Sequence, residues 1–260
     1  FMLIYYILNL LSNTRSRNDT YGTIARQLSR NISKLDDYSL TALAEICSVS
    51  PASLSRFTRL MDYRNYSTMA NQLQEAIPDY VHGDGQLLIK SPRPQEKGQT
   101  AMRRQLDQMN ELAYQAVQTI DLTEAARCLI QAPKVAVFGS PKPQAALMLQ
   151  MELGMQAIEC TNYYAPEDQY PEMQALEAGC TAVVYDCYDH DSILPYILSL
   201  RKPDVNLILI SCSEKLKATY NPDFFLAYPN LNFAMNLALA DQITLYLVSE
   251  LQAAAAAEAR

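Results

Sequence analysis

Ser39-Leu-Thr-Ala-Leu-Ala-Glu-Ile-Cys-Ser-Val-Ser-Pro-Ala-Ser-Leu-Ser-Arg-Phe-Thr-Arg-Leu-Met61 reads as two short helices joined by a tight turn. Leu40, Leu43, Ala44 and Cys47 fall at i, i+3, i+4 and i+7, which gives the first helix one apolar face. Ser48-Val49 makes the turn, with Val49 placed to plug the space between the helices. Ser50 can cap the second helix, and Pro51 suits its first position, where a missing N–H costs nothing. Leu54, Phe57 and Met61 share one face, and Ala52, Ser55, Arg56 and Arg59 share the opposite one. Small and hydroxyl side chains let a helix approach a major groove closely, and arginines can meet phosphates or guanine edges. The DNA-facing set expected from this is Ser50, Pro51, Ala52, Ser53, Ser55, Arg56 and Arg59. The same spacing fits an ordinary helical hairpin with a solvated arginine face, because this geometry also occurs without DNA.

Three strings carry a resemblance: Ile24-Ala-Arg-Gln-Leu28, Leu43-Ala-Glu45 and Val49-Ser-Pro-Ala-Ser-Leu-Ser-Arg-Phe57. Together they resemble the N-terminal domain of the MurR/RpiR family of bacterial transcriptional regulators. The Val-Ser-x-x-x-x-x-Arg-Phe string is the most specific part, and the likeness runs from Asp19 to Gln74. That family joins its helix-turn-helix domain to a C-terminal sugar isomerase (SIS) domain. The resemblance implies an operator as partner, a dimer, and genes of carbohydrate or amino-sugar metabolism.

The charge distribution agrees. Net charge is −7 over 260 residues, but residues 1–77 hold eight Lys/Arg against six Asp/Glu. A mildly basic head on an acidic body suits a head on DNA and a body held off it. Six cysteines form no C-x-x-C pair and most sit in apolar runs, which reads as reduced thiols in a cytoplasmic protein. The apolar start Phe1–Leu11 lacks a basic n-region and is too short to span a bilayer, so it reads as an amphipathic or interface helix and no membrane partner is expected.

The expected fold is an all-α helix-turn-helix domain followed by an α/β SIS-like domain with a five-stranded parallel sheet. Residues 1–78 form the first domain, with a break at Asp62–Tyr66, a resumed helix over Ser67–Ala76 and a stop at Pro78. Residues 79–99, rich in Gly and Pro, read as a linker. Residues 100–252 form the second domain with its lead-in helices, and 253–260 read as a tail outside the fold. Over Thr100–Ile130 the stripe Leu106, Met109, Leu112, Ala113, Ala116 and Val117 is apolar, and Asp121 starts a second piece. Strands are expected at 134–138, 157–160, 181–185, 206–210 and 224–228, because apolar runs without alternation mean burial on both faces. Helices are expected at 144–153, 172–178, 192–201 and 231–250.

Ligands of open parallel sheets bind outside the carboxyl ends of the strands. The first such turn is Phe138-Gly-Ser-Pro-Lys-Pro143, where the resemblance implies a Gly- and Ser-rich phosphate cradle. Gly139 and Ser140 remain, Pro141 and Pro143 donate no N–H, and Lys142 can add charge. The turn reads either as a weakened anion site or as a structural turn into a helix. The second turn, Tyr185-Asp-Cys-Tyr-Asp-His-Asp191, has neither the glycine nor the hydroxyls the resemblance implies, and its aspartates would repel a dianion. Asp186, Asp189, His190 and Asp191 could alternatively hold a hard metal, but their spacing fits capping and turn roles better. Ser211 and Ser213 keep two hydroxyls at the third turn. The effector set is therefore Gly139, Ser140, Lys142, Ser211 and Ser213, with a sugar phosphate disfavoured. No cofactor, metal or catalytic group is expected. Glu152 and Glu159 are the carboxylates nearest the pocket, and G-x-S-x-G, P-loop and H-E-x-x-H strings are missing.

Overall fold

The computed structural model describes residues 8, 11–13, 15, 18–61, 63–82, 98–139, 141–187 and 193–258. They separate into two compact units, Phe1–Gln86 and Leu87–Arg260.

The first unit is helical. Asp19 caps α1 (Thr20–Arg30) by accepting from Gly22 N. A 3-10 segment, Ile32–Asp37, leads to α2 (Leu40–Ile46), which Ser39 caps through Ala42 N. The chain then turns through Ser48, which takes the left-handed φ of 55°. Ser50 caps α3 (Pro51–Leu60), with Pro51 in its first turn. Leu43, Ala44, Cys47, Leu54 and Phe57 are buried together with Ile24 and Leu28 of α1. Tyr21 packs edge-on against Phe57 at 5.6 Å, and Val49 fills in beside this core. α4 spans Tyr66–His82. Pro78 therefore does not end the helix as its sequence suggests. One missing N–H is tolerated because Met69, Ala70 and Leu73 bury the earlier turns and the Gln74 amide donates to Ile32 O at 2.9 Å. The linker expected after it falls largely on 83–97, outside the described residues, as does the start Phe1–Ile7.

The second unit opens with α5 (Gly98–Val117) and α6 (Leu122–Gln131), the latter capped by Asp121 through Glu124 N. The sheet follows: β1 (Lys134–Phe138), α7 (Ala145–Met155), β2 (Glu159–Thr161), α8 (Pro166–Ala175), β3 (Thr181–Asp186), α9 (Ile193–Ser199), β4 (Asn206–Ser211), α10 (Glu214–Tyr220), β5 (Phe224–Ala227) and α11 (Phe233–Glu258). Every pairing is parallel and the strand order is β2-β1-β3-β4-β5. Alternate residues of the strands enter two cores. Val135, Val137, Val183, Tyr185, Ile208 and Ile210 pack with α5, α6, α7 and α11. Ala136, Phe138, Ala182, Val184, Leu207 and Leu209 pack on the other face with α8 and α9. Burial on both faces is why these strands lack alternation.

Five details differ from the sequence expectation. β2 starts at Glu159, because Ala157 takes a left-handed φ of 61° and Ile158 N closes the preceding helix onto Leu153 O. α8 starts at Pro166, a first-turn proline followed by Glu167 and Asp168 that stabilise a helix start. α10 was not marked by any apolar period. α11 begins beyond Asn232, whose side chain accepts from Met235 N, and runs through the alanines to Glu258, since alanine is the best helix former. Leu106, placed in the apolar stripe by its spacing, is 44% exposed, whereas Met109, Ala113, Ala116 and Val117 are buried.

Candidate nucleic-acid interface and effector loops

α3 is held by one face and offers the other. Leu54, Phe57 and Thr58 are buried, and the Thr58 hydroxyl donates back to Leu54 O. Pro51, Ala52, Arg56 and Arg59 are exposed, while Ser53 and Ser55 are half-buried. Ser50 Oγ accepts from Ser53 N at 3.1 Å and lies 2.9 Å from Ser53 Oγ. Arg56 reaches Ser53 Oγ at 3.4 Å. The helix start thus carries two hydroxyls and a guanidinium on a rigid cap, with a second guanidinium one turn on. Such a surface can donate to phosphate oxygens and to base edges.

The described residues of the first strand-end loop bond within the chain. Gly139 N donates to Gln169 Oε1 at 3.0 Å, and Gln169 Nε2 returns a bond to Gly139 O at 3.2 Å. Gln169 is fully buried. Gly139 has a φ of 131°, and a Cβ there would stand 2.6 Å from Tyr185 O. Lys142 is 2% exposed. Its ammonium donates to Val137 O and Tyr163 O and lies 4.6 Å from the centre of the Tyr164 ring. Burial lowers its pKa to about 7. The amino end of α7, where an anion would be expected to sit, receives Asp241 instead: Ala145 N donates to Asp241 Oδ1 at 2.7 Å. Burial raises the Asp241 pKa against the pull of the Ala145 and Gln144 amides. Ser140, Asp189, His190 and Asp191 lie outside the described residues.

Ser211 is buried, donates to Asp186 Oδ2 at 2.6 Å and accepts from Ser213 N at 2.8 Å. Tyr228 OH donates to Asp186 O at 2.7 Å. Beside this cluster lies a cleft of about 200 Å³ lined by Asp186, Leu194, Ser213, Lys215, Thr219 and Tyr220 among others. Ser213 therefore reaches the cleft, whereas Gly139, Lys142 and Ser211 do not line it. Gln169 and Asp241, which sequence reasoning did not select, hold the first loop. Asp241 has a signal in hindsight, as the one charged residue between 233 and 249. Gln169 has none. Among the described residues no cluster of three or more His, Cys, Asp or Glu could hold a metal.

A phosphate dianion needs several unspent N–H or hydroxyl donors. At the first loop the Gly139 amide, the Ala145 amide and the Lys142 ammonium are already bonded within the chain. Calorimetric titration with hexose and amino-sugar phosphates is expected to show no binding tighter than about 100 μM, roughly −5.5 kcal/mol. Tighter binding by any of them would mean that this loop opens.

No protein-family model matches the chain, and no curated protein matches it in sequence. Its fold is similar to three solved structures. The Vibrio vulnificus NanR protein, complexed with ManNAc-6P, is 14% identical with a TM-score of 0.49, over 96% of this chain and 91% of that one. The sugar isomerase domain of an RpiR transcription factor from Sphaerobacter thermophilus is 14% identical with a TM-score of 0.45, over 58% and 92%. The C-terminal domain of a glucosamine-fructose-6-phosphate aminotransferase from Francisella tularensis is 12% identical with a TM-score of 0.45, over 79% and 54%. Among the described residues no helix is long and apolar enough to cross a membrane.

Proposed function

We propose that this chain is a cytoplasmic DNA-binding transcriptional regulator. Residues 1–78 read an operator, and residues 100–252 form a SIS-like unit with a degenerate effector site. The resemblance of the head to the MurR/RpiR family points to genes of carbohydrate or amino-sugar metabolism. The observation that supports the reading is α3, whose buried face packs with α1 and α2 and whose exposed face presents Arg56 and Arg59 beside the Ser50–Ser53 cap. Ser50, Pro51, Ala52, Ser53 and Ser55 would line the close approach, with the two arginines on phosphates or guanine edges.

Genome-wide recovery of bound DNA tests this directly, and absence of any enriched fragment would overturn it. On a recovered operator, Arg59→Ala is expected to weaken binding and to lower the log–log salt slope by about one unit. An unchanged slope would remove Arg59 from the interface. A sugar-phosphate isomerase with an accessory helical domain is the second reading. It requires unspent donors at the first loop, and the Gln169 and Asp241 bonds speak against it.

A further inference from the structure

β3 and β4 each run out into a cysteine. Their parallel register sets Asp186 opposite Ser211, and Cys187 and Cys212 stand one residue further along. Both side chains leave the same face of the sheet. Cys187 continues the alternation of Val183 and Tyr185, Cys212 that of Ile208 and Ile210, and the two pack against one core. Cys187 is buried and Cys212 is half-buried. Cys212 Sγ donates to Asp186 O at 3.9 Å, which holds it against the peptide that joins Asp186 to Cys187. Asn236 Nδ2 donates to the same sulfur at 3.9 Å. The Tyr228 hydroxyl meets the Cys187 thiol, and burial raises that thiol well above its ordinary pKa. No other two of the six cysteines take neighbouring positions on paired strands. Cys160 is paired with Val135 of β1, and Cys180 precedes β3 at its opposite end and faces the other core. Cys128 belongs to α6 and Cys47 to the other unit.

We propose that Cys187 and Cys212 are a redox pair, which closes to a disulfide bond when a hydroperoxide reaches Cys212. Neighbouring strands lie about 4.8 Å apart, inside the window of roughly 4.4–6.8 Å between Cα atoms that a disulfide accepts. Both residues stand past the last paired positions, so their sulfurs can close up without breaking a ladder hydrogen bond. Cys212, the half-buried member, is the thiol an oxidant meets first. Its sulfur, as the thiolate, attacks one peroxide oxygen and the O–O bond breaks. The other oxygen leaves and is protonated to water or an alcohol, and Cys212 is left as a sulfenic acid. The Cys187 sulfur then attacks the Cys212 sulfur. Its proton goes to the departing hydroxide, which leaves as water. The two thiols give up two protons and two electrons, and the hydroperoxide takes up both. Asp186 and Ser213, the chain neighbours of the two cysteines, line the cleft beside them, so the bond fixes that wall. In a reducing compartment thiol exchange undoes such a bond, which suits a sensor rather than a structural bridge. Neither the bond nor its measurement involves DNA, so the redox pair and the regulator reading stand or fall separately.

The full reduced chain is treated with a small molar excess of hydrogen peroxide, quenched in acid, unfolded and alkylated. Chymotryptic digestion then separates Cys187 from Cys160 and Cys180 by cleavage after Tyr185 and Tyr188, and mass spectrometry reads the products without reductant. The expected product joins the Cys187 and Cys212 peptides with the loss of two hydrogens. Alkylation of both thiols should fall together by at least about tenfold and return after dithiothreitol. In Cys212→Ser, Cys187 should stay reduced under the same treatment, because the buried thiol has no access of its own. In Cys187→Ala, Cys212 should instead be trapped as the sulfenic acid by a cyclic dione. That second variant keeps the test standing if the first does not fold. Three results overturn the proposal: both thiols still alkylated after peroxide, Cys212 driven to the sulfinic acid while Cys187 stays free, or either cysteine bridged to one of the other four.

Discussion

Gly139→Ala is expected to lower the stability of the α/β unit by about 3 kcal/mol, combining a strained φ with a backbone clash. The added Cβ would stand 2.6 Å from Tyr185 O, 3.2 Å from Tyr185 Cβ and 3.3 Å from Lys142 Cγ. The first of these neighbours is backbone of β3, which is paired on both sides by β1 and β4 and cannot retreat. The φ of 131° adds strain that only glycine escapes. For a unit of this size the loss corresponds to a fall in melting midpoint of about 6–12 °C. A fall of less than about 3 °C would mean that the loop rebuilds around the methyl group.

Lys142 should make the same unit gain stability as pH rises from neutrality. An unfolded lysine keeps its proton to about pH 10.4, whereas burial lowers the folded group to about 7. Between those values the unfolded chain binds more protons, so unfolding becomes harder as pH increases. Buried thiols act in the opposite sense at higher pH. Burial raises Cys160 to about 12 and Cys187 well above its ordinary value. Once the unfolded thiols ionise, near pH 8.5–9, the folded state holds more protons and stability falls. The expected curve climbs by about 2–3 kcal/mol from pH 7 to 9 and then declines. Urea unfolding across that range checks it. In Lys142→Met the climb should flatten, and a climb that persists would assign it to another group.

What the sequence made legible was whatever the local pattern encodes. Ser39 and Ser50 are caps in sequence and in structure, and Leu43, Ala44, Cys47, Leu54 and Phe57 fill the core their spacing assigns. The sheet was equally plain, because strands such as Ala182–Tyr185 and Leu207–Ile210 are apolar throughout when helices cover both faces. Long-range partners were not legible. Gln169 bonds Gly139 across 30 residues, and Asp241 meets Ala145 across 96. Neither pairing leaves a periodicity to detect. In the sequence Lys142 reads as a charge for a ligand, and nothing adjacent announces the Val137 and Tyr163 carbonyls that it meets. Leu106 shows the converse error, since helical spacing predicts a side but not how far the neighbouring helices extend to cover it.

Asp241 closes the amino end of α7 to other anions. A carboxylate fixed at the amino end of α7 acts as a tethered competitor. Attachment to the same folded chain gives it an effective concentration of millimolar or higher, without any cost of capture from solution. A diffusing anion must displace it before gaining a single hydrogen bond. A ligand alters a conformational equilibrium only through its differential affinity for the two states, and a seat already filled offers little. On the regulator reading proposed above, sugar-phosphate supply would leave the α/β unit unchanged, as a fixed reference rather than a gauge.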